Sequence, residues 1–158
     1  MKKSRKCKPR PRGVRTPIAV SNNQAAVRVS SAELRRLVEF VARREGCRVA
    51  GVDLAIVADE AISGVNRRFL HHDRPTDVLS FDLSQGQPPG LSLEVIVSGD
   101  AAVRQGPLHG HSPGEELMIY VIHGLLHQMG YEDATVRGGA RMHARQDELL
   151  AEFLRRRR

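Results

Sequence analysis

One segment of the chain reads His123-Gly-Leu-Leu-His127-Gln-Met-Gly130-Tyr-Glu-Asp133, and it predicts more about this protein than any other. Apolar residues precede and interleave the two histidines, which is typical of a mostly buried helix. His123 and His127 are four residues apart, so both imidazoles leave the same face of that helix. Gly130 stands where a left-handed residue can end the helix, and the turn lets Asp133 return towards the histidines.

Two imidazole nitrogens and one carboxylate oxygen, with a fourth position open, are the ligands of a catalytic zinc site. A single histidine on an apolar helix is more often an ordinary core residue, but the glycine stop and the third ligand at a useful spacing favour a metal. We therefore predict one Zn²⁺ per chain, bound by His123, His127 and Asp133. The competing possibility is that Asp133 only caps the turn, and that His111 or a water completes the shell.

The same spacing occurs in metzincin-like metalloproteases, which carry a glutamate directly after the first histidine as general base. This chain has Gly124 there, which has no side chain, so a peptidase of that mechanism is disfavoured. Glu116 and Glu132 are near in sequence, but nothing in the sequence assigns either as a base. The remaining histidines have no ligand spacing, and a surface or supporting role is expected for them: His71, His72, His109, His111 and His143.

The positive charge of the chain is concentrated at its two ends. The net charge is +7, yet Met1–Thr16 holds eight Lys and Arg and no acid, and Arg155–Arg158 adds four more. Without those twelve, 13 basic and 18 acidic residues remain, so the body of the protein is acidic. Basic tails suit phosphate backbones, where they release counterions without choosing a sequence. Nucleic acid is therefore the predicted partner, and a solvated tail that only aids solubility is the alternative.

Other features of composition limit the choice of class and compartment. Trp is absent and aromatic residues make up 4% of the chain, which argues against an aromatic platform for stacking bases. The sequence has no apolar run of transmembrane length and no apolar amino-terminal signal segment. Cys7 and Cys47 have no CxxC spacing, and we interpret them as free intracellular thiols. The predicted compartment is the cytoplasm.

The rest of the chain predicts one small α/β domain. We expect a basic disordered tail at residues 1–16, a hydrolase domain at 17–154 and a basic carboxyl-terminal tail at 155–158. Alternating or β-branched runs predict strands, and amphipathic runs predict helices. The predicted strands are Ile18–Val20 with a possible continuation at Val27–Val29, Val52–Ala58, Thr76–Phe81 and Leu91–Ser98. The predicted helices run from Ser30 to near Gly46, Glu60–Leu70, Glu115–Met129 and Val136–Leu154. This order favours a mixed sheet of about four strands with one antiparallel pair, packed by four to five helices, one carrying the metal site.

A second informative segment reads Asn66-Arg-Arg-Phe-Leu70-His-His-Asp73-Arg-Pro75-Thr-Asp77-Val-Leu-Ser80-Phe81. Alone it is a helix end, a loop and a strand, in which Asp73 or Thr76 can simply hold a turn. Together with the histidine segment it resembles the YbeY family of endoribonucleases. Pro75–Phe81 matches that family's PTDVLSF segment, and His123–Tyr131 matches its HGxLHLxGY helix. Leu93–Ser98 is similar to a family strand, and Met142 with Gln146–Leu150 to its closing helix, so the resemblance covers Ile18–Leu154.

The resemblance implies a small α/β fold with one divalent metal, usually zinc, and phosphodiester hydrolysis in single-stranded RNA. It also implies a role in 16S rRNA maturation and ribosome biogenesis, with the small ribosomal subunit as partner. The predicted function is therefore a zinc-dependent, single-strand-specific endoribonuclease. One alternative is a ribosome-assembly RNA-binding factor with a structural metal and little or no cleavage activity. A metal-dependent hydrolase of small substrates is a third possibility, which the basic ends disfavour.

Two departures from the family pattern limit what the resemblance transfers. Family members usually have histidine as the third ligand, where this chain has Asp133; a carboxylate oxygen is also an acceptable zinc ligand. They also commonly have Tyr-Arg where this chain has Phe69-Leu70, so a functional arginine is missing. Arg67 and Arg74 are the candidates to replace it. Only the metal site is carried over, and no residue is assigned as general base.

Overall fold

A computed structural model of the chain describes residues 7–70, 76–84 and 90–157. Four strands form its sheet: β1 Ile18–Asn23, β2 Val49–Val57, β3 Val78–Asp82 and β4 Leu91–Ser98. Five α-helices accompany them: α1 Ser31–Arg44, α2 Asp59–Leu70, α3 Gly99–Gln105, α4 Pro113–Gln128 and α5 Val136–Arg157. A short 3₁₀ turn, Pro107–His109, lies between α3 and α4. None of the described helices combines the length and the apolar composition that crossing a membrane requires.

The sheet is mixed, with strand order β1-β2-β4-β3. β1 pairs parallel with β2, and β2 pairs parallel with β4. β3 is the antiparallel edge strand and pairs with β4, with Leu79 opposite Ile96. The predicted small α/β domain with one antiparallel pair is confirmed.

The sheet has helices on both faces. Alternate residues of β4, such as Leu93, Val95 and Val97, belong to the large core that also contains the buried faces of α1, α4 and α5. Ile96, between them, points to the other face, where it clusters with Leu79 of β3 and Ile62 of α2. This alternation follows from the two-residue period of a strand. It places α4, which carries both site histidines, against the larger core.

Several boundaries differ from the predicted ones. β2 begins at Val49, three residues before the prediction, and β3 runs Val78–Asp82 instead of Thr76–Phe81. Residues 27–29 form no strand. Helix α3, where Ser98 is the N-cap, was not predicted because seven residues are too few to show a helical period. The predicted loop at His71–Pro75, and most of the predicted turn between Ser84 and Gly90, lie outside the described residues.

The described residues of the two predicted tails, 7–16 and 155–157, contact the rest of the domain. Arg155–Arg157 form the last turn of α5, so the helix includes most of the predicted carboxyl-terminal tail. Residues 7–16 contain no helix or strand, but they pack beside α1, where Arg10 pairs with Glu39. The prediction of two free thiols is wrong, because Cys7 and Cys47 form a disulfide with Cα atoms 5.2 Å apart. Their separation of 40 residues left no spacing signal in the sequence.

Candidate metal centre

The helix that carries the histidines is closed at its start by a capping box. The Ser112 hydroxyl accepts a hydrogen bond from the Glu115 amide, and the Glu115 carboxylate accepts one from the Ser112 amide. Pro113 follows at the first helical position, where its missing N–H costs nothing. These residues fix the start of α4 at Pro113, two residues before the predicted start. The position of the two histidines along the helix is therefore fixed relative to this start.

Gly124 explains how closely α4 packs against the sheet. A Cβ atom at this position would lie 3.0 Å from Val95 Cγ1 and 3.2 Å from Val78 Cγ2. Position 124 therefore faces β3 and β4, whereas His123 on its other side is partly exposed. The Gln128 amide adds hydrogen bonds of 3.0 Å to both the carbonyl and the hydroxyl of Ser80. A glutamate at position 124 would meet the sheet, so the geometry agrees with the exclusion of a metzincin-like base.

The turn after α4 returns the chain towards the histidines. Gly130 has a φ of 107°, as its position in the sequence predicts. The Tyr131 hydroxyl then donates to Glu45 Oε2 over 2.9 Å, and Arg145 holds the other oxygen of that carboxylate at 2.7 Å. Burial raises the pKa of the Tyr131 phenol, and the Glu45 carboxylate raises it further. The phenol therefore stays protonated as a donor, which fixes the turn that presents Asp133.

The three predicted ligands lie on one side of the molecule. Nε2 of His123 is 3.7 Å from Oδ2 of Asp133. The His123 and His127 rings are nearly parallel, with planes 6° apart and centroids separated by 6.4 Å. His127 and Asp133 are exposed, and His123 is about three-quarters buried, with 25% of its side chain accessible. The side chains therefore lie at the surface, where a large substrate can reach them.

The other nitrogen of His123 is held by α5. Nδ1 of His123 is 3.1 Å from Oε1 of the buried Gln146, and the Gln146 amide nitrogen is 3.1 Å from Nδ1 of His143. Because an amide oxygen can only accept, Nδ1 of His123 carries the proton and Nε2 carries the lone pair. Metal-ligating histidines are oriented by partners of this kind. No such role was predicted for Gln146 from the sequence, although its match to the closing helix was a signal.

The three predicted ligands carry donor atoms that suit zinc, and the distance between His123 and Asp133 suits it as well. A tetrahedral ion with bonds of about 2.0–2.1 Å holds neighbouring ligand atoms about 3.4 Å apart, close to the spacing between His123 and Asp133. Within residues 7–70, 76–84 and 90–157, no three histidine, cysteine, aspartate or glutamate side chains are gathered closely enough to form a ready-made metal site. His127 therefore has to turn towards the pair to complete the set, and the ligand assignment stays a prediction.

His109 and His111 are held by a buried carboxylate at the other end of α4. Nδ1 of His109 lies 2.8 Å from Oε1 of Glu116, and Nδ1 of His111 lies 2.7 Å from Oε2. Glu116 is almost fully buried and is seven residues before His123, about 10 Å along the helix axis. His111 is therefore engaged away from the histidine pair, which disfavours it as the completing ligand. Glu116, for the same reason, is remote from a general-base role there.

The second sequence segment is only partly described. Leu70, which replaces the family arginine, is 43% exposed at the end of α2, and Arg67 lies in the last turn of the same helix. Arg74 and Asp73 fall outside the described residues. The Asp77 carbonyl accepts a hydrogen bond of 2.9 Å from the Ser98 amide, so this residue joins β3 to the end of β4. Whether Arg67 or Arg74 replaces the missing arginine stays a prediction.

Comparison with known proteins gives consistent results. A family model described as endoribonuclease YbeY matches residues 19–154. An endoribonuclease YbeY of Moorella thermoacetica is 40% identical, over 84% of this chain and 94% of its own length. The corresponding protein of Syntrophus aciditrophicus is 34% identical, over 84% of this chain and 87% of its own. A solution structure of TM1509 from Thermotoga maritima is similar in fold, with a TM-score of 0.59 and 26% identity over 86% of this chain and 88% of that one.

Proposed function

This chain belongs to the endoribonuclease YbeY family, and we propose that it is a zinc-dependent endoribonuclease that cuts single-stranded RNA during 16S rRNA maturation. The observation that carries the proposal is the pairing of His123 Nε2 with Asp133 Oδ2 at 3.7 Å, one helical turn from His127. Under this proposal the three side chains bind one zinc ion per chain. The proposed compartment is the cytoplasm, because the proposed substrate is ribosomal RNA. The cysteines no longer support this proposal, since they form a disulfide.

The residues around the site would act by holding the metal ligands and orienting them. Gln146 keeps the proton of His123 on Nδ1, so that Nε2 is free to act as a ligand. Tyr131 and Gly130 fix the turn that carries Asp133. Bound zinc supplies Lewis-acid polarisation of a phosphoryl oxygen and lowers the pKa of a coordinated water. The exposure of His127 and Asp133 leaves room for a nucleic-acid strand at the site.

The alternative function is a ribosome-assembly factor that binds RNA and uses its metal only structurally. The exposed site disfavours this alternative, because structural zinc sites are normally closed by four protein ligands. Under the proposed ligand set, His123, His127 and Asp133 would provide two nitrogens and one oxygen, which would leave a coordination position for water or substrate. This protein would bind RNA whichever of the two functions it has, so RNA binding alone does not separate them.

Cleavage of a 16S rRNA precursor by purified protein separates them. The wild-type protein should cleave the precursor, lose this activity in a chelator and regain it on addition of zinc. His123→Ala, prepared in the same way, should be inactive, which also controls for contaminating nuclease. His109→Ala serves as a matched control, because that histidine is held by Glu116 at the other end of α4. Binding without zinc-dependent cleavage would favour the assembly-factor alternative.

A further inference from the structure

The amino-terminal segment, α1 and the end of α5 enclose a groove of about 1130 Å³. The structure points to a second RNA site in this groove, which we propose binds the phosphate backbone of a single strand apart from the metal centre. The inference rests on the proposed function for the identity of its ligand, RNA. It concerns parts of the chain that lie largely outside the family match, which begins at residue 19 and ends at 154.

The lining of the groove is strongly cationic. The amino-terminal segment contributes Arg10, Arg12 and Arg15, and α5 contributes Arg156 and Arg157.

Helix α1 adds three more arginines from its exposed face: Arg35, Arg36 and Arg43. Among the described residues that line the groove, Glu39 is the one acid, against eight arginines. Gathering like charges around one concave surface raises the positive potential there and attracts polyanions. Within the described part of the chain, arginines from both ends therefore line one surface.

Specific contacts hold the amino-terminal segment in place over the groove. Glu39 accepts hydrogen bonds from the Arg10 guanidinium over 2.7 Å and from the Thr16 amide over 2.9 Å. The Thr16 hydroxyl donates to the Val49 carbonyl, and the Arg48 amide donates to the Lys8 carbonyl. These contacts make the segment a wall of the groove, so its arginines lose less conformational entropy on binding than those of a free tail.

Two arginines of the groove wall are held in place by their neighbours. Nη1 of Arg10 is buried and, among the described residues, is the buried side-chain atom that lacks a hydrogen-bond partner. The Arg156 guanidinium lies over the Phe40 ring at 5.6 Å and pairs with the Glu152 carboxylate over 3.1 Å. Arginine groups held in this way suit phosphate, which accepts paired N–H donors. Phosphodiester oxygens are thus the chemistry that the lining recognises.

The groove is separate from the metal centre. Gln146, which touches His123, and Arg156 both lie on α5, ten residues or about 15 Å apart along the helix axis. A stacked strand rises about 3.4 Å per nucleotide, so it needs about five nucleotides to span this distance. The groove should therefore add affinity for long substrates to that of the metal centre.

The test is a comparison of two variants of the full-length protein with the same loss of charge. Arg36→Gln/Arg43→Gln removes two exposed arginines of the groove, whereas Arg28→Gln/Arg155→Gln removes two exposed arginines that do not line it. Binding of fluorescein-labelled oligouridylate of 20 nucleotides is measured between 50 and 300 mM salt with chelator present, so cleavage is not required. We expect the groove variant to raise Kd about tenfold and to reduce the salt slope by about 1.4, the value for two lost phosphate contacts on a single strand.

Each of the following outcomes would overturn the proposal. Equal losses in both double variants would mean that only net charge matters, and no loss in the groove variant would mean that RNA does not bind there. Competition by polyglutamate of equal length as strong as that by unlabelled RNA would mean that the groove takes acidic peptides. A failure of the cleavage experiment leaves this binding result unchanged, so the two proposals fail separately.

Discussion

His123 and Gln146 are joined by a hydrogen bond of 3.1 Å from the ring Nδ1 to the amide oxygen. This bond links α4 to α5 across 23 residues and leaves Nε2 of the ring directed towards Asp133. Gln146 is buried, so its amide has few other ways to satisfy its hydrogen bonds. The hydrogen bond to Gln146 therefore favours the His123 tautomer with its proton on Nδ1.

The first prediction concerns this bond. Gln146→Leu removes the acceptor, and we expect the zinc affinity to fall about 10–100-fold, which is typical for loss of a partner that orients a ligand. Gln146→Glu retains an acceptor for Nδ1 and should keep most of the affinity. Competition with a chromophoric chelator measures both. Equal affinity in the wild type and Gln146→Leu would show that the amide does not position the ring.

The role of Asp133 as a metal ligand can be tested by comparison with its neighbour Glu132. Asp133→Ala should lower the zinc content per purified chain, while Asp133→His, which restores the residue usual in the family, should retain it. Glu132→Ala is the matched control, because Glu132 is an equally exposed carboxylate one residue earlier. Metal content by atomic absorption gives the answer. If Glu132→Ala loses as much zinc as Asp133→Ala, the effect is one of local charge and not of ligation.

Gly124 should be unusually intolerant of a methyl group. The Cβ of Gly124→Ala would meet Val95 and Val78 at 3.0 and 3.2 Å, so we expect a loss of about 1–3 kcal/mol in the free energy of unfolding. Gly64→Ala is the control, since Gly64 is exposed within α2 and its added Cβ meets nothing within 4 Å. That change should stabilise the protein by about 0.5–1 kcal/mol. Urea unfolding of both variants tests the packing, and equal effects would contradict it.

The attachment of the amino-terminal segment should depend on pH. Burial alone would raise the pKa of Glu39, but the hydrogen bonds from Arg10 and Thr16 and the charge of Arg10 outweigh it and lower the pKa below its ordinary value of 4.5. A carboxyl group with a lowered pKa contributes stability that is fully present above the ordinary pKa and is lost as the pH falls through the lowered one.

Glu39→Gln should therefore melt about 2–4 °C below the wild type at pH 7, which corresponds to roughly 1 kcal/mol. The difference should shrink as the pH falls below the ordinary value of 4.5 and through the lowered pKa of Glu39, where the wild-type carboxyl also becomes protonated. Melting curves between pH 7 and pH 3 provide the measurement. A difference that stays constant over this range would mean that the ionised form of Glu39 is not what holds the segment.

The sequence predicts the parts of the fold whose signals are local and periodic. Helix α4 and the left-handed conformation of Gly130 follow from apolar spacing and one glycine. The antiparallel placement of β3 follows from the order of strands and helices. By contrast, α3 is too short to show a period, and the aromatic Phe69, near the end of α2, is 62% exposed.

The parts that could not be predicted depend on contacts between distant residues. The Cys7–Cys47 disulfide and the Arg10–Glu39 pair join residues 40 and 29 positions apart, and neither has a spacing signature. The support of His123 by Gln146 likewise requires knowing that α5 crosses α4. Composition alone predicted two separate basic tails, whereas packing places Arg10 and Arg157 along the same groove.

The most direct measurement of the metal centre is the anomalous diffraction of a zinc-loaded crystal at the zinc absorption edge. We expect one anomalous peak per chain, within about 2.0–2.2 Å of a nitrogen of His123, a nitrogen of His127 and an oxygen of Asp133. A peak on the two histidines with no Asp133 oxygen at bonding distance would contradict the ligand set. A peak elsewhere, such as beside His109 and His111, would contradict the site itself.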